Sequence, residues 1–226
     1  MQLTAPAIPM LVALILNLAL VEAAPSVLDL SSYASSTAAY ITLAESMNSS
    51  SSPLLISSDG AFSWQFHPYH YDNQNKYLLV VLNTIFNTTT VVWMANRNRP
   101  VSVNTTLLFV LPSRQIILRD HASVGQSSAG MDIWSSPSGV YSVEMNATGN
   151  LIMRDAYNAT LWQSFDHPSD VMVAGQSLRT HKSLVSSISS DDVSEGAYTL
   201  KVEAGGVVFY ANLDRQQNNV LYELFT

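Results

Sequence analysis

The chain has 226 residues, 47% of them hydrophobic and 12% charged, with no cysteine. Ten Lys and Arg against seventeen Asp and Glu leave a net charge of −7, so there is no basic footprint for a phosphate backbone and nucleic acid is excluded as a natural partner. Zero Cys removes disulfides, thiolate nucleophiles and Cys-ligated zinc or iron–sulfur sites, and the length suits one ordinary domain, or one and a fragment.

The first segment sets the expected compartment. Met1 to Pro9 carry no charged side chain, Met10 to Val21 are apolar except for Asn17, and Val21-Glu22-Ala23 places small residues at both cleavage-site positions. Residues 1–23 therefore read as a signal peptide. A membrane anchor is the competing reading, but the run is shorter than the roughly 20 residues that span a bilayer and has no basic flank. No second apolar stretch of that length follows, so no membrane span is expected in the mature chain. Secretion gives meaning to five Asn-x-Ser/Thr triplets, at Asn48, Asn87, Asn104, Asn146 and Asn158, which accept glycans only on the secretory route.

After a linker at 24–39 the chain reads as all-β. Short β-branched and aromatic runs recur between turn formers, at Tyr77 to Leu82, Val91 to Met94, Thr106 to Leu111, Gln115 to Leu118, Val140 to Met145 and Leu151 to Met153, and no window outside the leader has a helical period. Ile116-Ile117-Leu118-Arg119-Asp120 is echoed thirty-five residues later by Leu151-Ile152-Met153-Arg154-Asp155. Each copy is followed by an apolar-Trp strand, Ile133-Trp134 and Leu161-Trp162, and Val92-Trp93 closes a more divergent unit that starts at Leu54. Three such units, unable to bury their faces singly, predict closure around a common core that holds Trp93, Trp134 and Trp162. Trp64 departs from the unit pattern and is expected at the surface.

The run Val91-Val92-Trp93-Met94-Ala95-Asn96-Arg97-Asn98-Arg99-Pro100, then Thr148-Gly149-Asn150-Leu151, then Leu161-Trp162-Gln163-Ser164-Phe165-Asp166-His167-Pro168-Ser169-Asp170 and Gly175-Gln176-Ser177-Leu178 resemble the bulb-type (G-type) mannose-binding lectin domain of plant S-domain receptor-like kinases and their secreted relatives. The resemblance covers about 40–180. It implies a β-prism of three four-stranded sheets with pseudo-threefold symmetry, and extracellular recognition, in the cell wall or apoplast, rather than catalysis. It also implies a sugar site on each sheet, with the pattern Gln-x-Asp-x-Asn-x-Val-x-Tyr, whose alternation puts all five side chains on one face.

Carried onto this sequence, the first site falls on Ser57, Asp59, Ala61, Ser63 and Gln65, where Asp59 alone matches. The second falls on Leu111, Ser113, Gln115, Ile117 and Arg119, with Ile117 conservative for Val. The third falls on Asn146, Thr148, Asn150, Ile152 and Arg154, with Asn150 matched and Ile152 conservative. The degenerate sugar-binding set is thus Asp59, Gln115, Asn146, Asn150 and Ile152. A lost hydrogen-bonding partner at a polar site costs on the order of 1 to 3 kcal/mol, so no appreciable mannose binding is expected through these pockets. At the third, Asn146 and Thr148 are also a glycosylation acceptor and its hydroxyl, so a covalent glycan would occupy the place of free sugar.

Other chemistry is weakly signalled. His67 and His70, with Asp72 nearby, have metal-like spacing in what reads as a loop without a partner set, and neither a metal nor a cofactor is expected. Ser164, Asp166 and His167 contain the letters of a hydrolase triad but lie too close together for its geometry, and a turn pinned before Pro168 is the favoured reading. Asn96, Arg97 and Arg99 either contact a ligand or tie their loop to its neighbour. A Ser-rich linker at 181–195 then leads to a hairpin signal with Gly205-Gly206 at its turn, and 196–226 reads as the start of a second β domain cut short. Two functions stay open. One is a secreted carbohydrate-recognition module that binds glycans; the other is a protein-interaction ectodomain whose partner is a cell-surface receptor or, as a homodimer, a second copy.

Overall fold

The computed structural model describes residues 24–32, 40–44, 53–69, 76–85, 89–121, 130–211 and 219–225. The apolar leader, Asn48, His70, Asp72 and Asn87 lie outside them. Two short strands come first, β1 (Val27–Asp29) and β2 (Tyr40–Ala44). Three units follow: β3 (Leu55–Ile56), β4 (Phe62–Tyr69), β5 (Lys76–Asn83) and β6 (Thr90–Met94); β7 (Thr105–Val110), β8 (Gln115–Asp120) and β9 (Met131–Ser135); β10 (Ser142–Met145), β11 (Leu151–Arg154) and β12 (Thr160–Gln163). A 3₁₀ turn at Ser164–Asp166 leads to β13 (Ser183–Ser187), β14 (Glu195–Glu203), β15 (Gly206–Ala211) and β16 (Asn219–Phe225).

These form four antiparallel four-stranded sheets, in the orders β3-β4-β5-β6, β2-β7-β8-β9, β1-β10-β11-β12 and β13-β14-β15-β16. The fold is the expected all-β prism with further β structure behind it. The first unit supplies all four strands of its own sheet, whereas the second and third are completed by β2 and β1 from the N-terminal segment. Two segments expected as linkers thus contain strands. Val27–Asp29 of 24–39 pairs with β10, and Ser183–Ser187 of 181–195 pairs with β14. Three residues are too few to show a strand period, and the serines around Leu184 and Val185 mask the other.

The first three sheets turn one face each toward a shared core. Alternation places Phe62, Trp64 and Phe66 inward on β4, Ile116 and Leu118 on β8, and Leu151 and Met153 on β11. Trp64 is fully buried rather than at the surface, because it occupies the inward phase of β4 opposite Leu55. Its indole N–H has no hydrogen-bond partner among the described residues, so packing alone holds it.

At the centre Trp93, Trp134 and Trp162 meet edge to face in a ring, with centroid separations of 5.9, 5.2 and 6.0 Å and interplanar angles of 71, 68 and 72°. Trp93 is buried, and Trp134 and Trp162 are partly buried against the same core. Each such pair contributes about 0.5–1.5 kcal/mol beyond burial, through the quadrupoles of the rings. The symmetry extends to the backbone. The tryptophans lie opposite Val81, Leu118 and Met153, and each of those is followed at once by a break in register, which bends the strand. Two residues before them, the buried N–H groups of Leu79, Ile116 and Leu151 donate to Asn96 Oδ1, Ser136 Oγ and Ser164 Oγ at 2.8, 2.9 and 3.0 Å. In the first unit Ala95 stands where the others have Ser, and Asn96 reaches back in its place.

The fourth sheet is fastened to the first. Arg97 is buried, and its guanidinium donates to the carbonyls of Val193 and Val185, the latter at 2.8 Å, to Ser187 Oγ at 3.2 Å and to Asp170 at 3.5 Å. Of the two roles open to Arg97, it takes that of a tie. On the outer face of the first sheet Tyr69, Leu78, Val80, Leu82 and Met94 form a second apolar cluster against Val193, which explains why β5 is buried on both faces. Tyr69 Oη donates to Asp192 at 2.9 Å. Burial, and then the Asp192 carboxylate, push the Tyr69 phenol up to about 12. Burial opposes ionisation of Asp192, but bonds from Ser194 and Tyr69 outweigh it and hold its carboxyl below the ordinary value.

Trp93→Ala removes the ring shared by two of the three pairs and leaves a cavity, with an expected loss of about 3–5 kcal/mol, read as a lower denaturant midpoint. Tyr69 favours the neutral phenol in the folded state, so its contribution is complete below pH 10.0 and disappears as pH rises through about 12. The fall in stability across that window should be shallower in Tyr69→Phe than in the parent protein, as measured by urea titration at each pH.

Candidate functional site

Of the residues carried over from the resemblance, those on strands lie on the outward phase: Ser63 and Gln65 behind Trp64, Gln115, Ile117 and Arg119 behind Ile116 and Leu118, and Ile152 and Arg154 behind Leu151 and Met153, whereas Leu111 belongs to the shared core and Ala61 packs against it.

On the first sheet the turn after β3 consumes the polar groups. Ser57 Oγ donates to Asp59 Oδ1 at 2.6 Å and accepts the Phe62 N–H at 2.9 Å, while Asp59 also accepts the Ala61 N–H at 3.1 Å. The Ser57 hydroxyl, followed by the Ala61 N–H, draws the Asp59 carboxyl below its ordinary value. Ser63 Oγ donates to Gln65 Oε1 at 3.2 Å. On the second sheet Gln115 Nε2 donates to the Ser136 carbonyl at 3.2 Å, and Arg119 makes a two-pronged ion pair with Asp132, at 2.5 and 3.1 Å.

On the third sheet Asn146 Oδ1 accepts three bonds, from Thr148 N at 3.0 Å, Thr148 Oγ1 at 2.8 Å and Asn150 N at 2.9 Å. Asn150 is buried and donates to Gln163 Oε1 at 2.9 Å, while its Oδ1 accepts from Ser164 Oγ and Phe165 N, both at 3.2 Å. Ile152 is buried. Arg154 pairs with Glu144 at 3.1 Å. The two repeat arginines thus lie where the sugar pattern has Tyr, and each is neutralised by an acid on a neighbouring strand. Polar groups that would turn to a ligand are bonded to one another.

The triad letters do not assemble. Ser164 Oγ is buried against Asn150, Asp166 accepts from Gln163 Nε2 at 2.9 Å, and the His167 ring stacks on Trp162 at 5.2 Å and 16°. Burial, and next Lys182, hold the His167 imidazolium below its ordinary value against the pull of Asp166. Arg99 is exposed and reaches Met131 Sδ at 2.8 Å. Among the described residues no three His, Asp or Glu side chains are grouped to hold a metal ion, and no helix is long and apolar enough to cross a membrane.

Three of the five glycosylation triplets fall on described residues. Asn104 and Asn158 are exposed, the latter at a positive φ of 64°, and Asn146 is half-buried. Beside Asn146 an apolar groove of about 510 Å³ runs between the first sheet and the segment after the 3₁₀ turn, lined by Phe62, Ile85, Val92, Thr148, Val171 and Val173 among others. Sequence reasoning missed this groove, since its walls come from distant segments. It also missed the three polar pins, whose signal was available in Ser136 and Ser164, each two residues after a Trp.

Residues 90–191 match the D-mannose binding lectin family. A G-type lectin S-receptor-like serine/threonine-protein kinase of Arabidopsis thaliana is 32% identical over 167 residues, 72% of this chain and 18% of the relative. Two S-locus-specific glycoproteins, from Brassica oleracea var. alboglabra and Brassica oleracea, are each 30% identical over 169 residues, 70% of this chain and 38% of theirs. The chain therefore spans less than two fifths of the length of these relatives. Taken with the three-sheet core and its tryptophan ring, the match identifies residues 90–191 as part of a bulb-type lectin domain of the D-mannose binding lectin family, the domain this chain has in common with G-type lectin S-receptor-like kinases and S-locus-specific glycoproteins.

Proposed function

We propose that this chain is a non-catalytic, extracellular recognition module of lectin fold whose three mannose pockets are closed to free sugar. The observation that carries the reading is the internal pairing of the polar side chains at the pocket positions, from the Ser57–Asp59 turn to the Asn146–Asn150–Gln163 network. Sugar would have to break these bonds before making its own. A millimolar ligand has only about −4 kcal/mol of binding free energy at its disposal. Two or three displaced bonds at about 1 kcal/mol or more each consume most of it. The apolar leader and the five triplets support secretion, and the apoplast or cell wall is the place in which such a module would meet its partners.

A specific observation favours protein over glycan as that partner. Tyr157 is 92% exposed at the tip of the β11–β12 turn, Ile188 just past the end of β13 is 52% exposed, and Tyr198 on β14 is 56% exposed. Large apolar side chains held open on ordered structure suit a cell-surface protein or a second copy of the chain. The test uses the protein secreted from eukaryotic cells, untreated and after enzymatic deglycosylation, on immobilised mannose and on a panel of mannose-rich and complex glycans. Neither form should be retained. Retention of the deglycosylated form alone would show a working pocket masked by the protein's own sugar, and retention of both would overturn the closed-pocket reading.

A further inference from the structure

The groove beside the third sheet has apolar walls and a glycan acceptor at its rim. Phe62, Ile85, Val92, Val171 and Val173 line it, and Thr148 borders it. Gly149 adopts a φ of +84°, and a Cβ there would lie 2.6 Å from the Phe62 ring. The turn that carries Asn146 is therefore pressed directly onto the aromatic wall, and only glycine permits that approach.

Asn146 is itself prepared for modification without cost to the fold. Its Oδ1 holds all three of its side-chain hydrogen bonds, from Thr148 N, Thr148 Oγ1 and Asn150 N, and its Nδ2 donates in none among the described residues. Replacing one hydrogen on Nδ2 leaves that network whole. Asn150 is the counter-example, since its Nδ2 is committed to Gln163. The Thr148 hydroxyl lies 2.8 Å from Asn146 Oδ1 while Thr148 borders the groove, so a sugar attached at Asn146 begins at the groove's edge.

We propose that the first sugars of an N-linked glycan on Asn146 lie along this groove as a covalently tethered cover. The attachment forms the bond from Nδ2 to C1 of N-acetylglucosamine, breaks the C1–O bond of a lipid-diphosphate oligosaccharide donor, and releases the diphosphate with one amide proton. The apolar C–H faces of the pyranose rings pack on the aliphatic and aromatic walls, and their hydroxyls stay in water. Tethering replaces the affinity that a free sugar would need, because the local concentration of the ligand is fixed by its attachment. The proposal rests on the extracellular reading, since the donor acts only on the secretory route.

The experiment takes the full chain secreted from eukaryotic cells and follows release of each glycan by peptide-N-glycosidase under native conditions, with site assignment by glycopeptide mass spectrometry. The Asn146 glycan should be released at least tenfold more slowly than those on Asn104 and Asn158, with equal rates after denaturation. In parallel, Thr148→Ala should raise the fluorescence of a dye that binds apolar surface several-fold, whereas Thr148→Ser, which keeps the triplet, and Asn104→Gln should not. Equal native rates overturn the proposal, as does an unmodified Asn146 beside glycosylated Asn104 and Asn158; in both cases the extracellular reading stands. A dye response to Asn87→Gln in place of Thr148→Ala assigns the groove to a different sugar and also overturns it. If the chain is retained in the cell with no triplet occupied, the extracellular reading falls as well.

Discussion

Everything in this fold depends on the meeting of three indole rings. Each prism sheet turns one face to the shared core and cannot be stable alone, and no disulfide is available to hold one to another. The edge-to-face contact of Trp93, Trp134 and Trp162 supplies the junction at which the sheets converge. A break in register beside each ring and a polar pin two residues before it recur in all three sheets. Non-directional burial provides the bulk of the stability. The directional contacts choose which of many compact arrangements is adopted.

The outer surfaces follow from the same geometry. Once one phase of β4, β8 and β11 is given to the core, the other phase faces outward, with Ser63 and Gln65 on the first sheet, Gln115, Ile117 and Arg119 on the second, and Ile152 and Arg154 on the third. In this chain the polar groups at these positions are bonded within the protein: ion pairs to Asp132 and Glu144 neutralise the two arginines, and turn hydrogen bonds absorb Asp59 and Asn146. The first sheet shows a different solution. Its outer face is covered by the loop carrying Asp192 and Val193, so it is unavailable as a platform for reasons of packing.

Much of this was legible in the sequence. The echo of Ile116–Asp120 in Leu151–Asp155, and the Trp that follows each, give the units and the central ring directly, because both repeat in register with the strand period. What the sequence hid was long-range. Val27–Asp29 is too short for alternation to be visible, and its role appears only when β10 is placed beside it. Trp64 looked out of pattern because the first unit diverges, yet its phase relative to Phe62 and Phe66 already put it inside. Arg97 could be read as tie or ligand contact, and only the position of Val185 and Val193 decides between them. The departures from the sugar pattern were readable residue by residue; the partners of Arg119, Arg154 and Asn150 were not, because Asp132, Glu144 and Gln163 lie outside the motif.

The order of the strands has a kinetic consequence. β1 and β2 leave the ribosome first, but their partners β10 and β7 are made later, β10 more than a hundred residues after β1. Of the three prism sheets, only that of β3 to β6 can assemble from neighbouring segments as it emerges. The second and third must close loops around it before any pairing rewards the search, which is the condition under which β proteins fold slowly. During synthesis the N-terminal strands are therefore unpaired edges, the species that chaperones recognise and that aggregates recruit. Closure of the third sheet by Val27–Asp29 is in this sense the last stitch of the prism, and a fault in it would register first as poor yield of folded protein.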